Sequence, residues 1–104
     1  MGWFSEDSEQ FTAYDQVNSA PHKAELSHEL IAGAASYEAA KAWEEHLARE
    51  GKPDDHAKAK EILAGFAGAF IDRLVETKGL DYIDRERAKR HAQQQLEEQL
   101  AGEY

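Results

Sequence analysis

The chain contains an echo of itself. At an offset of 32 residues, Pro21 matches Pro53, and Glu29-Leu30-Ile31-Ala32-Gly33-Ala34-Ala35 matches Glu61-Ile62-Leu63-Ala64-Gly65-Phe66-Ala67. The match continues through Lys41 and Arg73 to Glu44 and Glu76. A unit repeated at such a period is one supersecondary element used twice, and the apolar spacing inside it is helical. Each copy opens on a proline in or near the first turn, where a missing N–H costs nothing. Each closes on a glycine suited to a left-handed cap, Gly51 after Arg49-Glu50 and Gly79 after Thr77-Lys78. The pattern predicts helices over about 22–50 and 54–78, within repeat units 21–51 and 53–79.

At 1.5 Å per residue the two helices would be about 43 and 37 Å long. Only Gly51, Lys52 and Pro53 join them, so they must return antiparallel as a helical hairpin. A pivot at Lys52 puts Phe70 beside Gly33 and Ala34, Phe66 beside Glu38 and Ala39, and Tyr37 beside Ala67 and Gly68. Glycine inside a helix costs roughly 1 kcal/mol relative to alanine. Close approach of the two backbones, with rings laid over the glycines, offsets that cost. Gly33, Gly65, Gly68, Phe66, Phe70 and Tyr37 are therefore the expected helix-packing set. No strand precedes the glycines, so they do not form a phosphate loop.

Outside the repeat, residues 1–20 hold Glu6, Asp7, Glu9 and Asp15 with no Lys or Arg, yet also Trp3, Phe4, Phe11, Tyr14 and Val17. That is too much apolar surface for a disordered tail. Phe11, Tyr14 and Val17 fall at helical spacing with Ser8 as an N-cap, which predicts a short helix folded back on the body. A third helix is expected over 81–100, starting at Asp81 with Asp84 in its first turn. From Gln93 onward the chain is polar, with only Leu96 and Leu100, and is expected to fray or protrude. The reading is a single all-α domain over residues 1–104: an antiparallel hairpin of two duplicated long helices, a third helix and a short N-terminal one. Its core is thin for so long a hairpin, and self-association would cover the apolar stripes left exposed.

Composition limits function more than it defines it. Of 104 residues, 21 are acidic and 12 basic, giving a formal charge of −9. Nucleic-acid binding needs a basic footprint, so no nucleic-acid partner is expected. With no cysteine, a disulfide scaffold, a thiolate metal site and a cysteine nucleophile are all excluded. No apolar run of 18 residues exists, so no membrane span is expected. The start carries neither a basic nor an apolar signal region, and Trp3 and Glu6 argue against acylation of Gly2.

Five histidines are many for this length. Glu25 and His28 have the spacing of a di-iron half-site, but the second repeat carries Ala57 and Lys60 at the matching positions. His46 and His56 lie on neighbouring helices by the turn, near Glu50 and Asp55, and are the weak metal candidates. Glu29 and Glu61 sit early in their helices, where they complement the dipole rather than form an acid–base pair. Arg85, Arg87, Lys89, Arg90 and His91 form the one basic cluster, read as an ion-pairing face. Spacing assigns no catalytic triad, so no enzyme and no cofactor are expected.

The opening Met1-Gly2-Trp3-Phe4 and the stretches 26–35, 56–72, 76–81 and 89–92 resemble the CipC-like antibiotic-response proteins of filamentous fungi, the concanamycin-induced family. The segment from Gln93 onward matches least. The resemblance implies a small intracellular stress-response protein, without established catalytic or cofactor residues. The expected function is non-enzymatic: self-association, with a homodimer at micromolar concentration, or binding of an unidentified protein partner. The cytoplasm is the expected compartment, with the nucleus as the alternative. A small-ligand or metal-binding module using the histidines is the alternative function.

Overall fold

A computed structural model of the chain describes residues 4, 8–20, 26–80 and 83–102. They form four helices: α1 (Glu9–Ser19), α2 (His28–Glu50), α3 (His56–Lys78) and α4 (Arg85–Ala101). The fold is all-α, as the periodicity requires.

Each helix begins where a short polar side chain can take up a free N–H of the first turn. The Ser8 hydroxyl accepts from the Phe11 N–H, Ser27 from Leu30, Asp55 from Ala57 and Asp84 from Arg87. These caps correct three expected starts. Helix α2 begins at His28 because Ser27 is extended and caps it; residues 21–25, including Pro21, lie outside the described residues. Helix α3 begins at His56 because Asp55 is its cap. Asp84 is the N-cap of α4 rather than a first-turn residue of a helix from Asp81, which with Tyr82 lies outside the described residues. The long helices end at the expected glycines, although only Gly79 is left-handed; Gly51 has an extended ψ of 175°. Gly51 and Gly79 both adopt positive φ, at 81° and 66°, and Leu80 beyond Gly79 is fully buried.

Helix α2 is the hub. It packs against α1, α3 and α4, and from Ile31 to Ala40 only Glu38 is not fully buried. A helix enclosed on every side cannot carry large side chains at every position, which explains why Ala32 to Ser36, Ala39 and Ala40 are all small. The Ser36 hydroxyl is buried and lies 2.9 Å from the Ala32 carbonyl oxygen, its own-helix acceptor. The Ala92 carbonyl of α4 is 3.3 Å away, which shows how closely α4 approaches.

The hairpin exists, but its register differs from the one pivoting at Lys52. Phe66 stands beside His46, with ring centroids 6.3 Å apart, where Glu38 and Ala39 were expected. The connection is also longer than Gly51–Pro53, running from Gly51 to Asp55 because Asp55 is the N-cap of α3. Tyr37 packs against α1, its ring 5.3 Å from Phe11 and 4.7 Å from Tyr14, and Phe70 also meets Tyr14 at 6.4 Å. Gly33 does lie at a tight crossing, but the partner is α1: a Cβ added there would sit 3.0 Å from that of Ala13. Gly68 faces the stem of Lys89 on α4, not Tyr37. Gly65 is exposed, and an added Cβ would meet nothing within 4 Å.

The segment from Gln93 onward neither frays nor protrudes as far as it is described. Ala88, Ala92, Leu96 and Leu100 recur every fourth residue and are all buried. They seal the side of the hairpin that α1 leaves open.

Candidate functional site

The turn end of the bundle holds the sequence-predicted histidines. His46, in the last turns of α2, stacks on Trp43 with centroids 5.7 Å apart and planes 13° apart. Its Nδ1 lies 3.6 Å from Glu50, one helical turn on. His46 lines a cavity of about 440 Å³ with Glu50, Lys52, Pro53, Asp55 and Ile62. His56 opens α3 on the exposed side and is not part of that lining. The two thus lie on neighbouring helices at the turn, but no group of three His, Asp or Glu among the described residues is placed to hold a metal ion.

His28 has a different task. Its Nε2 accepts the Asp84 backbone N–H at 3.0 Å, tying the start of α2 to the start of α4. Nothing in the local sequence pairs positions 28 and 84, so only the fold reveals this contact.

The basic cluster of α4 is partly spent on α3. Arg85 Nη1 and Lys89 Nζ each approach the Asp72 carboxylate to 3.2 Å. Burial acts to raise the Asp72 pKa, but the hydrogen bonds and charges of Lys89 and Arg85 outweigh it and hold it below the ordinary carboxylate value. Lys60 reaches Glu97 at 3.6 Å.

A second cavity, about 480 Å³, opens where the first turns of α1 and α2 meet α4. Glu9, Ser27, Glu29 and Gln95 line it, with Gln10 donating to Gln95 across it at 2.9 Å.

The largest feature without an internal purpose is the outer face of α3. Lys58, Glu61, Gly65, Ala69, Arg73 and Glu76 are all exposed along it. The half-buried Ile62 and Phe66 flank the glycine. Sequence reasoning assigned Gly65 to the helix-packing set because a mid-helix glycine is costly unless a close approach of backbones offsets it. The alternation Leu63, Ala67, Phe70, Ile71 and Leu74 on the buried side was the signal that places Gly65 opposite.

These features define a small all-α bundle whose surface holds cavities and an open helix face. The family model described as "Virulence factor CipC-like" matches residues 13–103, and the chain belongs to that family. No curated protein and no solved structure matches the chain significantly. No described helix is long and apolar enough to cross a membrane.

Proposed function

We propose that this protein is a non-enzymatic stress-response protein of the cytoplasm that works by self-association or by binding a protein partner. The observation supporting the reading is the outer face of α3, where a Cβ added at the mid-helix Gly65 would meet none of the described residues within 4 Å. Glycine there weakens the helix by roughly 1 kcal/mol relative to alanine. A second helix seated against that face gives the glycine a use. The ligand-binding alternative rests on the two cavities and on His46, whose ring is already engaged by Trp43 and Phe66.

Sedimentation equilibrium over the micromolar range tests the proposal. The expected result is a mass between one and two chains that rises with concentration. A mass of one chain throughout, with no protein partner recovered from stressed cells, overturns it.

A further inference from the structure

We infer that the outer face of α3 is a homodimer seam, in which α3 packs antiparallel against α3 of a second copy about a two-fold axis at the level of Ala67. The inference deepens the self-association reading and rests on it. Its basis is the order of charges along the face: Lys58, Glu61, Gly65, Ala69, Arg73, Glu76. Read against its own reverse, this order is complementary at every position. Lys58 stands opposite Glu76 of the second copy and Gly65 opposite Ala69, while Glu61 is level with Arg73.

The geometry agrees with the sequence. At 3.6 residues per turn, Lys58, Gly65, Ala69 and Glu76 project within about 20° of the direction opposite Ala67, which is buried. Glu61 and Arg73 lie about 60° off that line on opposite sides, so the two-fold axis leaves each across the width of the seam from its counterpart, and the charges that face one another directly are Lys58 and Glu76. The two small residues fall at the centre, where the backbones must approach most closely. Parallel pairing in register would set each charge against its own copy. The antiparallel arrangement instead sets Lys58 against Glu76 at both ends of the seam.

The charges are available for this. Among the described residues, Lys58, Glu61 and Glu76 take part in no ion pair, and Arg73 only lies over the Phe70 ring, 5.6 Å from its centroid. The other charges of α3 toward its neighbours, Lys60 and Asp72, are already paired with α4. A helix that pairs its inward charges and leaves a self-complementary set outward is matched to another copy of itself.

The test is sedimentation of the full chain and three variants, with circular dichroism to confirm helical content. Gly65→Leu should weaken self-association at least about tenfold while leaving the fold intact, because its side chain has open space in the single chain. Lys58→Glu should weaken it too, by setting carboxylates face to face at both ends of the seam. The double variant Lys58→Glu/Glu76→Lys should restore it, and should Gly65→Leu fail to fold, this swap decides alone. A dimer indifferent to these changes, or a double variant no tighter than Lys58→Glu, overturns the seam while leaving self-association standing. A parent chain that stays monomeric removes both.

Discussion

Gly33 and Gly65 occupy the same position in the two sequence repeats and have opposite surroundings. At Gly33 a Cβ would press on Ala13 at 3.0 Å, and both residues belong to helices that cannot easily separate. Propensity favours replacing either glycine by roughly 1 kcal/mol. Overpacking opposes it at Gly33 alone, by about 1–3 kcal/mol for a large side chain. Gly33→Leu is therefore expected to lower stability, and Gly65→Ala to raise it by up to about 1 kcal/mol. Urea unfolding of the two variants at a concentration where the chain is monomeric reads both signs. A stabilised Gly33→Leu would place Gly33 at the surface and refute the α1–α2 crossing. The sequence repeat could not separate these cases, because duplication preserves a residue while the neighbours that give it meaning are different in each copy.

The ends of the helices were legible in part. Ser8 and Val17 mark α1, and Gly51 and Gly79 end the long helices, because capping is local chemistry written in one or two residues. The starts of α2 and α3 were set too early: the prolines attracted the boundary, while Ser27 and Asp55 provide the hydrogen bonds. The larger error concerned α4, whose polar composition hid a stripe of period four. Leu100 is fully buried and Leu96 nearly so, so Leu100→Ala should cost about 2–5 kcal/mol in thermal or urea unfolding, where a frayed tail would cost almost nothing. Across the α3–α4 seam, Asp72 is held ionised by Lys89 and Arg85. A carboxyl with a lowered pKa contributes stability above its ordinary titration range and loses it as pH falls through its lowered value. Asp72 is substantially exposed, so Asp72→Asn should cost less than about 1 kcal/mol at neutral pH. The difference from the parent should vanish in acid below that value. A difference that persists there would mean that the amide disturbs packing and the ion pairs contribute nothing.

For the whole molecule, the decisive arrangement is that α2 touches all three other helices. The duplication suggests the α2–α3 hairpin as the folding unit, since it is the part that local sequence specifies best. The burial pattern argues otherwise. A two-helix hairpin covers one face of each helix, yet Ile31, Ala32, Ala34, Ala35 and Ser36, which surround the axis of α2, are all fully enclosed. Of their cover, α3 provides one side; Ala13 and Val17 of α1 and Ala88 and Ala92 of α4 provide the rest. Helix α2 is moreover poor in large side chains, so the hairpin alone buries too little apolar surface against the entropy of ordering its residues. A fragment spanning residues 26–80 should therefore be weakly helical, with a gradual thermal transition and amide exchange close to that of an open chain. The full chain should melt in one cooperative step. A fragment that unfolds with a sharp sigmoid and protected amides would make the hairpin autonomous, and α1 and α4 would then be attachments to a pre-existing core rather than its walls.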